Sequence, residues 1–146
     1  MTIQRMDHVS VVVDDLKAAI AFFVELGMEL EGEAPIEGDA VDRLNGLDGV
    51  RVNIAMMRTP DGHGRLELKK FHAPAVIRAE PENALGNALG LRSIMFTVDD
   101  IDATVDGLRA HGADLIGELV QYEDSYRLCY LRGPAGIIVA LAEQLS

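Results

Sequence analysis

The chain has 146 residues, 49% hydrophobic and 25% charged, with a net charge of −11. That length can bury one substantial core or two small halves, and the composition is that of a globular protein. The acidic balance, with no cations clustered among aromatics, argues against nucleic acid and anionic membrane surfaces as partners.

No apolar run approaches the roughly 18 residues of a membrane-spanning helix, and residues 1–7 lack the pattern of a secretion signal. The lone Cys129 can form no internal disulfide, so a reducing, cytoplasmic setting is expected.

Residues 8–13 alternate as a strand, with His8, Ser10 and Val12 on one face and Val9, Val11 and Val13 on the other. Asp14 or Asp15 caps a helix with an apolar stripe of Leu16, Ala19, Ile20 and Phe23, and Gly27 ends it. Strands are expected over about 29–33, 51–58 and 65–71, with Thr59-Pro60-Asp61-Gly62 as a turn. Gly38 to Val50 is an insertion expected to act as a lid. Residues 72–91, with Pro74, Pro81 and two glycines, read as a linker with a short helical turn.

The pattern then returns. Residues 93–101 echo residues 8–16 at an offset of 85 positions, and the register runs without a gap to Leu30/Leu115. The second helix has Asp99 or Asp100 as cap, Ile101, Thr104, Val105 and Leu108 as stripe and Gly112 as stop. Strands follow over about 114–121, 126–132 and 137–142. Arg58-Thr59-Pro60-Asp61-Gly62 matches Arg132-Gly133-Pro134-Ala135-Gly136, and Leu66-Glu67-Leu68 matches Val139-Ala140-Leu141. The expected fold is therefore α+β: a first β-α-β-β-β module over 3–75, a linker over 76–89 and a second module over 90–144. A repeated module that pairs with itself is expected to enclose a small-molecule pocket between its copies.

Tandem modules of this kind, with Asp7-His8-Val9 near the start and a Glu-Leu strand closing the first, resemble the vicinal oxygen chelate superfamily of glyoxalases, bleomycin-binding proteins and extradiol dioxygenases. The resemblance covers nearly the whole chain and also rests on residues 91–101 and 132–139. It implies mixed sheets that cup into an open barrel with helices outside, often in a homodimer, which the unpaired sheet edges also favour. In metal-dependent members of the superfamily, ligands come from the first and last strands of paired modules. Carried over, His8 and Glu67 fill the first-module positions, whereas Ser93 and Ala140 stand where the second-module ligands would be. A tight catalytic metal wants about three protein ligands, so no cofactor is expected. The alternative is a divalent ion (Ni, Co, Zn or Mn) held by His8 and Glu67.

Without a metal, His8 and Glu67 are the candidate catalytic or ligand-binding pair, or simply a structural pair that satisfies each other. Ser93, Ala140, Met56, Met95, Tyr126, Tyr130 and Ile138 are the expected pocket liners. Tyr122 shares the four-residue spacing of Tyr126 and Tyr130, and Asn53, Arg65 and Lys69 are polar candidates if they face inward. Arg92 points away from Ser93 by strand alternation. His63 and His111 are expected in solvent and His72 at a pocket rim. No phosphate loop, Gly-x-Ser-x-Gly elbow or Cys-x-x-Cys is present.

Three functions remain in view. The first is a metal-independent small-molecule pocket for binding, sequestration or an unassigned reaction. The second is a metal-dependent lyase or isomerase resembling glyoxalase I or methylmalonyl-CoA epimerase. The third is an interaction module whose pocket is self-filled. An extradiol dioxygenase is disfavoured, because its iron site needs two histidines and a carboxylate.

Overall fold

The computed structural model describes residues 2–145. The chain divides into two compact units, Met1–Ile77 and Arg78–Ser146.

In the first unit, β1 (Val9–Val12) leads into α1 (Leu16–Leu26), then β2 (Glu29–Glu37), α2 (Asp39–Asn45), β3 (Arg51–Arg58) and β4 (Arg65–Ala73). The sheet order is β1-β4-β3-β2, with β1 parallel to β4 and the other pairs antiparallel. Asp15 caps α1 by accepting the Ala18 N–H at 3.0 Å. Gly27 closes it at φ +121, a backbone conformation side chains resist. The buried stripe is Ala19, Phe22 and Phe23, while the expected members Leu16 and Ile20 are only half-buried. Phe22 and Phe23 meet edge to face, centroids 5.1 Å apart. Each buried ring contributes about 1.5–3 kcal/mol. They share the core with Val11, Ala55, Met57, Leu66 and Leu68, all on the sheet face beneath α1.

The second unit runs β5 (Ser93–Val98), α3 (Ile101–Arg109), β6 (Asp114–Tyr122), β7 (Tyr126–Arg132), a 3-10 turn (Pro134–Gly136) and β8 (Ile138–Gln144). Its order, β5-β8-β7-β6, has the same sense of pairing. Asp100 caps α3 through Ala103 N–H, and Glu143 reaches across from β8 to accept Ile101 N–H at 2.8 Å. The helix ends at Arg109, short of the expected stop. Gly112, at φ +88, instead turns the chain that follows. Both sheets are four-stranded and open-edged, the α+β arrangement expected.

One strand boundary differs from expectation, and the insertion has a structure of its own. The strand expected to end near residue 33 continues to Glu37, because β3 supplies pairing partners as far as Arg51. The expected lid contains the two-turn helix α2, tied down by Asp42, whose carboxylate accepts the Gly49 and Val50 N–H groups at 2.9 and 2.8 Å. No described helix is long and apolar enough to cross a membrane.

Candidate functional site

Strand alternation gives each sheet one face under its helix and one open face. On the first sheet, the parallel register sets Ser10 of β1 beside Glu67 of β4, and Val12 beside Lys69. The antiparallel register sets Met56 of β3 beside Glu67, and Ile54 beside Lys69. His8, one residue before β1, continues the Ser10 and Val12 side. One open face thus gathers His8, Ser10, Glu67 and Lys69 beside the apolar Ile54 and Met56.

The hydrogen bonds here differ from a simple His8–Glu67 pairing. Ser10 Oγ donates to Glu67 Oε1 at 2.7 Å. His8 Nδ1 donates to Asp7 Oδ2 at 2.7 Å. His8 Nε2 lies 3.6 Å from the same Glu67 oxygen, and Lys69 Nζ lies 3.9 Å from it. Asp7 is also bound by Arg5 at 3.0 Å and approached by Arg65 at 3.4 Å. The hydrogen bond from His8, reinforced by those arginines, holds the Asp7 carboxyl below its usual range. Arg65 is pinned in turn by Glu31 at 2.8 Å, a contact that raises its own proton affinity.

Asp7 and Ser10 are the residues the sequence reading did not single out. Ser10 is readable from the strand period it shares with His8, and Asp7 belongs to the Asp7-His8-Val9 motif, which carries no indication that its carboxylate binds the His8 ring. Arg65 and Lys69 share the Glu67 side of β4. Asn53 instead lies on the α1 side of β3, where His72 Nε2 donates to its Oδ1 at 3.0 Å. Neither residue joins the His8 cluster. His63 is exposed on the β3–β4 turn.

On the second sheet, Ser93 stands beside Ile138, and Met95 beside Ala140. Tyr130 flanks Ala140 from β7, and Tyr126 pairs with both Gln144 and Tyr122. Tyr122, Tyr126 and Tyr130 therefore share one face, although a hairpin divides them between two strands. Ile138 and Ala140 are buried, at 2% and 0% exposure, and form a floor between the exposed Met95 and Tyr130. Cys129, on the α3 side, is buried, which pushes its thiol up and away from reactivity.

The donor inventory for a metal is short. In the first unit His8 Nε2 and Glu67 Oε1 can each offer a lone pair; in the second, the Ser93 and Met95 face offers a neutral hydroxyl, and Ala140 has no donor atom. Among the described residues no group of three or more His, Cys, Asp or Glu side chains could hold a metal ion. His8 and Glu67 alone do not fit a site that needs about three protein ligands.

Comparison with known proteins adds the family context. The family profile described as Glyoxalase/Bleomycin resistance protein/Dioxygenase superfamily matches residues 5–141. YaeR of Escherichia coli (strain K12) is 28% identical over 143 residues, spanning 97% of this chain and 98% of YaeR. The crystal structure of a glyoxalase family protein from Bacillus cereus superposes with a TM-score of 0.95 at 53% identity, covering 100% of this chain and 97% of that one. TnmS3, an antibiotic binding protein from Streptomyces sp. CB03234, is similar in fold, with a TM-score of 0.63 at 20% identity over 99% of this chain and 98% of its own.

Proposed function

Because the chain belongs to the Glyoxalase/Bleomycin resistance protein/Dioxygenase superfamily, we propose that it binds a small molecule without a resident metal, using the open face that carries His8 and Glu67. The donor set carries this reading: Ser93 and Ala140 cannot replace the imidazole and carboxylate that a tight ion requires. Two ligands leave a first-row cation largely hydrated and weakly held. Loss of supporting contacts alone costs about 10–100-fold in metal affinity, and loss of ligands costs more. His8, oriented by Asp7, and Glu67, oriented by Ser10, then act directly on a ligand, as binding groups or as proton acceptors. The antibiotic-binding TnmS3 has the same fold, and that likeness is compatible with a binding role.

Calorimetric titration with Ni²⁺, Co²⁺, Zn²⁺ and Mn²⁺, with elemental analysis of untagged protein and His8→Ala as control, tests this reading. Weak binding, unchanged in the variant, is expected. Stoichiometric tight binding that His8→Ala abolishes would instead favour the second reading, a metal-dependent lyase or isomerase. The 3.6 Å approach of His8 Nε2 to Glu67 Oε1 supports that alternative, since it is half of a ligand set. There a divalent ion would polarise substrate oxygens, and chelation would abolish turnover.

A further inference from the structure

Asp7 sets which nitrogen of His8 carries the proton. Its carboxylate is acceptor-only, so the 2.7 Å contact to His8 Nδ1 requires an N–H on that nitrogen. A neutral imidazole has one donor and one acceptor nitrogen, so Nε2 of the neutral ring is left as a bare acceptor. It points at Glu67 Oε1, a second acceptor, across 3.6 Å. That separation lies beyond hydrogen-bond range, so with the ring neutral the two lone pairs face each other, and Glu67 Oε1 is met from its other side by the Ser10 hydroxyl at 2.7 Å. Two acceptors held face to face form a slot that a donor relieves. A group carrying N–H or O–H satisfies both, whereas a carboxylate or phosphate adds a third acceptor.

The slot is reachable and has an apolar neighbour. The His8 side chain is 30% exposed and that of Glu67 16%. Met56 lies beside Glu67 in the sheet, and Gly32 lies beside Met56. A Cβ built on Gly32 would meet nothing within 4 Å, so nothing packs over Gly32 at that point, and Met56 itself is half-buried. The charges around the slot are mixed: Asp7, Glu67 and Glu31 against Arg5, Arg65 and Lys69. The donor can therefore be a neutral hydroxyl or an ammonium.

Resting on the metal-independent reading above, we propose that His8 Nε2 and Glu67 Oε1 form a recognition site for a ligand hydroxyl or amine borne on an apolar body, with Asp7 as the positioning residue that fixes the His8 tautomer.

The test uses the full-length protein with three probes of one shape: benzyl alcohol, benzylamine and benzoate. Their binding is followed by NMR at the His8 ring and the Met56 methyl, with EDTA present. Nitrogen-15 shifts of His8 in the neutral ring should report the Nδ1–H tautomer, and Asp7→Ala should move the population toward Nε2–H. Saturable shifts are expected with benzyl alcohol, benzylamine or both. Benzoate should bind at least about tenfold more weakly, or 1.4 kcal/mol, and Glu67→Gln should erase the preference. Saturation by benzyl alcohol alone identifies a neutral donor, and by benzylamine alone an ammonium. An Nε2–H tautomer in the unmodified protein overturns the proposal, as do equal or tighter benzoate binding and saturation by none of the probes. Those failures leave the metal-independent reading standing, because metal titration tests that separately. Tight stoichiometric metal binding at His8 overturns both.

Discussion

One surface ion pair gives a residue-scale prediction about the response to acid. Arg127 grips Asp102 with two hydrogen bonds, at 2.6 and 3.1 Å, between β7 and the first turn of α3. The guanidinium holds the Asp102 carboxyl below its ordinary value of 3.8. A carboxyl depressed in the folded state contributes stability above its unfolded value, and that contribution is lost as pH falls through the folded value. The contribution of the pair is therefore full near neutrality and is lost on the acid limb, below 3.8. Arg127→Met should return the Asp102 midpoint toward 3.8 in a carbon-detected NMR titration, with the midpoint of Asp61 unmoved; Asp61 is held low by Thr59 and the His63 N–H instead. An unchanged Asp102 midpoint would show that the pair does not form in solution. Residue partners of this kind were poorly legible in the sequence. His8 and Glu67 stood out by residue type and by resemblance. That Ser10, and not His8, makes the short bond to Glu67 depends on the β1–β4 offset, which no local pattern fixes. Asn53 fell on the wrong face for the same reason.

Elements were more legible, because caps and alternation are local. Asp15 and Asp100 mark helix starts by chemistry that one residue carries. Less readable were boundaries set by a distant partner: the extension of β2 to Glu37, and the docking of residues 82–84 beside the turn before β8. Arg132 ties that docking together, donating to the Ala84 and Gly136 carbonyls at 2.9 and 3.0 Å. Gly136 sits at φ +77, and a Cβ there would fall 2.7 Å from Asn83 Oδ1 and 2.8 Å from the Glu82 carbonyl. The backbone carbonyl cannot yield as a flexible side chain can. Gly117, at φ +71 with open space around it, supplies the matched control. Gly117→Ala should cost the left-handed strain alone, about 1–2 kcal/mol. Gly136→Ala should cost that and more, with a larger fall in thermal midpoint and faster amide exchange around residues 82–84. Equal losses for the two variants would mean that the linker is not held against the turn.

At the scale of the whole molecule, charge and apolar surface pull in opposite directions. Each copy carries −11, so two copies repel, and burial of apolar surface is the expected source of any association. Such surface is available: Ile77, Leu85, Leu89 and Leu91 are 96%, 65%, 98% and 70% exposed around a segment with no regular secondary structure. Contiguous exposed apolar area marks association sites, so Leu85, Leu89 and Leu91 of the second unit are the first residues to test. Each sheet also ends in unpaired edge strands, β1 and β2 in one and β5 and β6 in the other. A homodimer is the expected state, read by light scattering as twice the chain mass. Salt should tighten it, because screening removes the repulsion and leaves apolar burial intact. Leu89→Glu with Leu91→Glu should shift the population to monomer while the circular dichroism spectrum stays constant. A single-copy mass at about 100 μM in both low and high salt would rule the dimer out. Dissociation by added salt would place the association in ion pairs instead of the apolar segment.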